Sequence, residues 1–380
     1  MTSSAQRAEP LLSAFADETL PIEERTAALQ RYRELPSGRE RPGRYWRIDL
    51  DAIPVDDLPF EGSAGSVQIE CKDERVRTGR VPSGFGTTAA RTSKFGALAA
   101  AFANQYAFIE IPAGIEIEEP VIVTYRVPER ATLFPYTCVH AGRGARATIV
   151  ERVEGGSGSF VCGITEAIAD ESAELAIVSM QNLPNDARFF SSRAALPGKD
   201  AKIAWATADL GASLAVVQLD VELLATGADA QIVSLFFPQA TQHVDMRSTV
   251  DHRAGEATSF TMVKSAATGR GQARYVGNIR IAAHAQGSDA SLRDDALLLS
   301  PNAHIDSVPA LEIAANDVKA YHGATVGALD QETLFYMTTR GIERGEAERM
   351  VTLGFFEPAI DRFPAQLREE LREILAAKIR

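Results

Sequence analysis

Gly142-Arg-Gly-Ala-Arg146, Asp170-Glu-Ser-Ala-Glu174, Gly198-Lys-Asp-Ala-Lys202, Gly227-Ala-Asp-Ala-Gln231, Gly255-Glu-Ala-Thr258 and Gly287-Ser-Asp-Ala-Ser291 are versions of one short turn, each standing just before a strand-like run. Their alanines, Ala145, Ala173, Ala201, Ala230, Ala257 and Ala290, are spaced by 28, 28, 29, 27 and 33 residues, and a half-step of thirteen leads on to Ala303. A period of this size marks a stacked architecture. Each unit has room for two strands of about 5–6 residues and two turns. One coil cannot bury its apolar face alone and does so against the next. Gly and Asp make tight corners, and Ala packs where corners stack. The expectation is a parallel β-helix. A large antiparallel sandwich shares the turn-and-strand texture but has no reason to keep a period.

Outward from the repeats, strand texture begins at Phe108-Ile-Glu-Ile111 and continues through Val121-Ile-Val-Thr-Tyr125 and Thr148-Ile-Val150. No segment within it has the length and period of a crossover helix, which disfavours a doubly wound sheet and a (β/α)8 barrel. Residues 1–106 read as mostly helical, 107–327 as the β-helix and 328–380 as helical again. In the first region a helix starts at Pro21-Ile22 with Thr19 as its cap, runs through Leu29 and Tyr32, and stops at Pro36-Ser-Gly38. Residues 41–60 read as irregular, and a second helix spans Ser93 to Tyr106. In the last region, Gln331 to Arg340 ends at Gly341, Gly345 to Phe356 ends near Pro358, and Ala365 to Arg380 carries an apolar stripe. That stripe is Leu367, Leu371, Ile374, Leu375 and Ile379, and the charges at Arg368, Glu369, Glu370, Arg372 and Glu373 read as a solvated side.

Composition narrows the partners. Apolar residues at 45% and charged residues at 24% fit a soluble globular chain of 380 residues. Thirty-nine basic against 51 acidic side chains give a net charge of −12, which repels phosphate backbones, so nucleic acid is not expected. Cys71, Cys138 and Cys162 are odd in number, far apart and without a CxxC pair, so neither a disulfide framework nor a zinc knuckle is expected. The N-terminus shows no secretory signal, and the longest apolar run, Phe95 to Ala103, is too short to span a membrane. Cytoplasmic placement with no membrane partner is the simple inference.

Familiar catalytic signatures fail on context. Gly142-Arg-Gly-Ala-Arg-Ala147 matches a dinucleotide fingerprint but runs into a strand where that motif needs a helix. Gly198-Lys199 lacks Walker spacing. His243-Val-Asp245 and His304-Ile-Asp306 each place an imidazole and a carboxylate on one strand face, a metal pair or merely a polar face. Asp245, Arg247, Asp251 and Arg253 could form the exposed cluster of a carbohydrate-active β-helix enzyme, although such enzymes mostly work outside the cell. His322 lies at the junction of the β region and the last helices, and a lone histidine is more often structural than functional.

The junction also resembles something known. Leu311-Glu-Ile-Ala-Ala-Asn-Asp-Val-Lys319, His322-Gly-Ala-Thr-Val-Gly327, Leu329-Asp330 and Leu334-Phe-Tyr-Met-Thr-Thr-Arg-Gly-Ile342 resemble the C-terminal signature of the SufB/SufD family of iron–sulfur cluster assembly proteins. Ala107 to Ile122 is similar to the family's entry into its β-helix, and Tyr45-Trp-Arg-Ile-Asp-Leu50 to a short element of the SufD branch. The resemblance implies a right-handed parallel β-helix between helical ends. SufB-like chains carry a cysteine just before the Leu-Leu strand and read His-Glu-Ala-Thr; this chain has Asp294-Asp-Ala-Leu-Leu-Leu299 and His322-Gly-Ala-Thr325, which is similar to SufD. Many SufD chains have a cysteine where this one has Ala320, so a role needing that thiol fails here.

What the resemblance implies is a non-catalytic scaffold. The chain would pair with SufB through Lys319, His322, Gly323 and Thr325. It would dock the SufC ATPase on Leu334, Phe335, Ile342 and Met350. His322 would offer an imidazole nitrogen to iron or to a nascent cluster at the interface. No cofactor would be held stably by the chain alone, and a flavin held by the whole assembly is compatible with the sequence. A homodimer in isolation is compatible with strand-rich end coils. Read from the residues alone, His322 serves equally to order the last coil, and Phe335 and Tyr336 fit either core or contact surface. A SufB-type primary scaffold and a carbohydrate-active enzyme are the alternatives.

Overall fold

The computed structural model describes residues 12, 15, 17–35 and 65–379. The turn at Pro36-Ser-Gly38, the irregular stretch 41–60 and the Tyr45–Leu50 element lie outside the described residues. The described chain is mainly β, a parallel β-solenoid of about 8 turns with flanking helices. It opens with α1 (Ile22–Glu34), β1 (Ser66–Glu70), β2 (Arg77–Thr78) and α2 (Lys94–Phe102). The lower coils are β3 (Gln105–Ile111), β4 (Val121–Val127), β5 (Thr132–Leu133), β6 (Pro135–Ala141), β7 (Arg146–Gly155), β8 (Phe160–Ala169), β9 (Glu174–Gln181) and β10 (Arg188–Pro197). The upper coils are β11 (Lys202–Asp209), β12 (Leu214–Leu223), β13 (Asp229–Phe236), β14 (His243–His252), β15 (Thr258–Ala267), β16 (Gln272–Ile281), β17 (Asp289–Leu298), β18 (His304–Ile313) and β19 (Lys319–Ala328). Helices α3 (Gln331–Thr339), α4 (Arg344–Ile360) and α5 (Ala365–Lys378) finish the chain.

Two sheets form the walls. One runs β1-β4-β7-β9-β11-β13-β15-β17-β19 and the other β18-β16-β14-β12-β10-β8-β6-β3-β2, with β5 beside β8. All coil-to-coil pairings are parallel; β1 on β4 and β2 on β3 are antiparallel. The sandwich alternative is thereby excluded.

The repeat is real, but its register differs from the alanine spacing at two places. Strand pairing matches Arg146, Glu174, Lys202, Asp229, Thr258, Asp289 and Lys319 in turn, giving steps of 28, 28, 27, 29, 31 and 30 residues. The corner residues are therefore Ala145, Ala173, Ala201, Ala228, Ala257 and Ser288, whose carbonyls accept the N–H of the next coil's first strand residue at 2.8–3.0 Å. Ala230 and Ala290 sit two residues further on. Both are buried in the lumen, because positions two apart in a strand share a face. Ala303 belongs to the opposite corner, beside the start of β18.

The helical ends cover opposite walls. Aromatic and small residues of α1 and α2 pack on Phe134, Phe160, Phe190 and Val216 of one sheet. Phe356, Ile360, Leu367, Leu371 and Leu375 of α4 and α5 pack on Val150, Val178, Ala206 and Val233 of the other. Several helix ends differ from expectation. Thr19 does not cap α1; the Asp17 carboxylate accepts from the Thr19 and Leu20 N–H groups and from Arg25. Helix α2 is capped by Ser93 and ends at Phe102, and Tyr106 is already in β3. Pro358 lies inside α4, in its last turn. The charged side of α5 is not merely solvated. Arg152 of β7 donates a forked pair of hydrogen bonds to Glu370 at 2.6 and 2.7 Å, and Arg372 does the same to Glu357.

The lumen is not wholly apolar. Glu151 points inward and accepts from the hydroxyls of Thr137, Thr165 and Ser179, while Arg193 and Asp209 make a forked ion pair at 3.0 Å. His252 is fully buried, its Nε2 2.8 Å from Ser259 Oγ. Burial pushes its pKa from 6.5 down to about 4. The imidazole stays neutral in the fold but protonates in the unfolded chain, so stability is full above about pH 6.5 and is lost as pH falls toward 4. Urea unfolding should show His252 contributing about 2 kcal/mol of stability loss between about pH 7 and pH 5, a slope that His252→Gln removes.

Candidate functional site

Sequence and topology converge on the last coil. Among the described residues, strand β19 pairs only with β17 and strand β18 only with β16, so both walls end in a strand edge there. Leu292 and Ala296 of β17 belong to the lumenal core. Alternation puts Asp294 on that same inward face, and register carries the face onto Ala320, His322, Ala324 and Val326 of β19. His322 thus stands over the open end of the lumen, opposite Leu292, and is exposed.

The four residues expected to share one interface divide between two faces. Lys319, Gly323 and Thr325 lie on the outward face, where a Cβ added at Gly323 would meet nothing within 4 Å. Thr325 Oγ1 donates to Asp295 Oδ1 at 2.6 Å, and Lys264 Nζ and Arg293 Nε each donate to Asp295 Oδ2 at 2.8 Å. Burial opposes ionisation of Asp295, but these donors outweigh it and hold its carboxyl below the ordinary range. Lys264 also lies over the Phe355 ring at 4.4 Å, which ties the last coil to α4.

Asp294 is the site residue that the sequence reading did not single out. It is fully buried beneath the terminal coil, its Cα opposite that of Ala324. The Ser307 hydroxyl of β18 donates to its Oδ2, while Oδ1 has no hydrogen-bond partner. Burial pushes its pKa up to about 6. Its sequence signal was the alternation Leu292, Asp294, Ala296, which puts a carboxylate among lumenal residues.

The docking set also divides. Asp330 caps α3 through the N–H groups of Glu332 and Thr333. One residue separates opposite sides of this helix. Leu334 is wholly buried and contributes no surface, whereas Phe335 is 71% exposed and Tyr336 lies beside it, also exposed. Met350 of α4 is exposed as well, and Ile342, in the turn between the helices, is half-buried. The correction at Leu334 is one of side, since consecutive residues of a helix point to different faces.

Other candidates are committed elsewhere. His304 Nε2 lies 2.7 Å from Asp306, and Asp245 is buried 2.9 Å from Arg274. Arg253 pairs with Asp251 and Glu222, so the charges of the supposed carbohydrate cluster neutralise one another. No group of three or more His, Cys, Asp or Glu side chains fit to hold a metal occurs among the described residues. Cys138 and Cys162 are buried, and burial pushes both thiols far up, away from the thiolate form. No helix among the described residues is long and apolar enough to cross a membrane.

The two sides of α3 give a measurable contrast. Leu334→Ala should cost about 2–5 kcal/mol in chemical unfolding, as buried leucines do. Phe335→Ala and Met350→Ala should stay within about 0.5 kcal/mol of wild type.

Comparison with known proteins identifies the family. The model of the SufBD core domain of the SUF iron–sulfur cluster assembly system matches residues 124–355. An iron–sulfur cluster assembly SufBD family protein of Mycobacterium bovis is 30% identical over 366 residues, covering 91% of this chain and 89% of that protein. Its counterpart in Mycobacterium leprae is 29% identical, covering 89% of each. One in Staphylococcus epidermidis is 25% identical, covering 75% of this chain and 62% of that protein. The chain belongs to the SufBD family of iron–sulfur cluster assembly proteins.

Proposed function

We propose that this SufBD-family chain is the SufD-type scaffold subunit of a cytoplasmic SUF assembly and performs no catalysis itself. It pairs with a SufB-type subunit through its terminal coil and receives a SufC-type ATPase on α3 and α4. A nascent iron–sulfur cluster forms where the two β-helices meet, with His322 as this chain's ligand. Any flavin belongs to the whole assembly. Without its partner the chain covers the same coil by homodimerising.

The observation that carries this reading is the asymmetry of the β-helix. Its first coils are closed by the antiparallel strands β1 and β2. Its last coil ends in β18 and β19, with Val308, Ile313, Tyr321 and Val326 exposed on them. A long strand edge with apolar side chains invites pairing with another chain, and proteins that work alone blunt such edges with charge, proline or a cover. Strand β19 has one charged residue, Lys319, at its start, and two glycines further along. The exposed Phe335, Tyr336 and Met350 add a helical apolar surface of the kind that docks in a partner's groove. The SufD branch is favoured over SufB by His322-Gly323 and by the strand Asp294-Asp-Ala-Leu-Leu-Leu299, which has no cysteine.

Co-expression with the SufB-type and SufC-type subunits should yield a complex by native mass measurement. Phe335→Ala with Met350→Ala should release the ATPase and leave the SufB pairing. His322→Ala should leave the complex intact and lower the visible absorbance of reconstituted cluster. Absence of any complex with wild type would sink the reading.

A further inference from the structure

Among the described residues, the lumen holds three inward carboxylates on one sheet, Glu151, Asp209 and Asp294, and of these only Asp294 lacks a full set of partners. Glu151 takes three hydroxyls, and Asp209 takes both prongs of Arg193. Asp294 takes one hydroxyl, from Ser307, and its Oδ1 is left open. The cations nearest in sequence and register, Arg293 and Lys264, are spent on Asp295 on the opposite face of the same strand. A buried carboxylate oxygen without a donor or a cation is costly, so its persistence asks for a ligand.

Its position says what kind. Asp294 lies one coil below the open end, and the residue directly above it is Ala324, whose side chain is a single methyl. His322 is the diagonal neighbour of Asp294 on the same inward face, since His322 pairs with Leu292. With parallel strands about 4.8 Å apart and a rise of about 3.3 Å per residue, these diagonal neighbours stand about 8 Å apart at Cα, within joint reach of one ion for an imidazole and a carboxylate. One nitrogen and one carboxylate suit a divalent first-row metal, and two protein ligands leave most of its coordination sphere open.

The geometry points to Asp294 as the second protein ligand, with His322, of a divalent metal held at the open end of the β-helix. This deepens the reading above, in which His322 was the chain's ligand, and the metal it predicts in that setting is ferrous iron.

The test is anaerobic titration of the isolated full-length chain with ferrous ion, and with cobalt(II) as an optical probe. Wild type should bind one ion per chain. Asp294→Asn and His322→Ala should each weaken binding at least about tenfold. Asp306→Asn, on the outward face of β18, should bind as wild type does. Circular dichroism melting checks that the variants fold, and Asp294→Ser serves where Asp294→Asn does not. If wild type binds no ion, or if Asp294→Asn binds as tightly as wild type, the inference is overturned. Loss in His322→Ala alone would leave His322 as ligand and remove Asp294. Complex formation with the SufB-type and SufC-type subunits is read separately by mass, so a failed pairing and a failed metal site are told apart.

Discussion

Neighbouring coils of this molecule are held at a fixed height by their parallel ladders and, at one corner, by the carbonyl of one coil accepting the N–H of the next. That bond recurs at Ala145, Ala173, Ala201, Ala228, Ala257 and Ser288. Because strands neighbouring in a sheet sit about 4.8 Å apart, side chains in register form columns through the lumen. One such column reads Val123, Glu151, Ser179, Thr207, Ser234, Val263, Asp294 and Ala324. A polar residue in a column is tolerable only if its neighbours above, below or across can partner it. Glu151 meets that condition through Ser179 in its own column and Thr137 and Thr165 across the lumen. Asp294 meets it only by half: Ser307 across the lumen donates to Oδ2, while the column above ends in a methyl group and Oδ1 has no partner.

The same constraint makes the two ends of the solenoid unequal. A stack of coils needs a device at each end, since the terminal coil has no neighbour to satisfy its strand edges. At the lower end the chain turns back on itself with β1 and β2, which run antiparallel and take up the free edges of β4 and β3. At the upper end the helices that follow β19 turn away to pack on the outer wall of the β1-to-β19 sheet. Arg152 with Glu370 and Lys264 with Phe355 fasten them there. The last two strands, and the lumen between them, are left without a cover from α3, α4 or α5.

The repeat was legible because corner geometry constrains residue type: tight turns need Gly or Asp, and stacked corners need small side chains. It slipped by two residues at Ala230 and Ala290 because two residues on is the same face, and an alanine there also fits the lumen. The class of the terminal helices was legible and their sides were not. Leu334 and Phe335 are both large and apolar, so hydrophobicity could not say which one is buried, and only the tertiary packing of α3 on α4 decides it. His322 was found through a resemblance rather than through chemistry. Asp294 was missed because its meaning depends on register with Ser307 and Ala324, partners that lie 13 and 30 residues away in the chain.

The donor inventory of the chain bears on how work is divided in an assembly. Iron–sulfur clusters are held chiefly by thiolates, with histidine as an occasional substitute. Cys138 is buried on the outer wall beside Glu166, and Cys162 is buried with its Sγ on the Phe95 carbonyl at 3.3 Å. Both are held as thiols by burial, and both lie on lower coils, on β6 and β8, away from β19. Cys71 is bonded to the Asp73 carbonyl just beyond β1, at the closed end of the solenoid. The open end therefore offers a nitrogen and a carboxylate but no thiolate, a set that suits ferrous iron. In the assembly proposed above, the thiolates of a cluster come from the SufB-type partner. Such a site depends on the register of the last coil, because a one-residue slip of β19 would turn His322 outward and place Gly323 or Thr325 over Asp294.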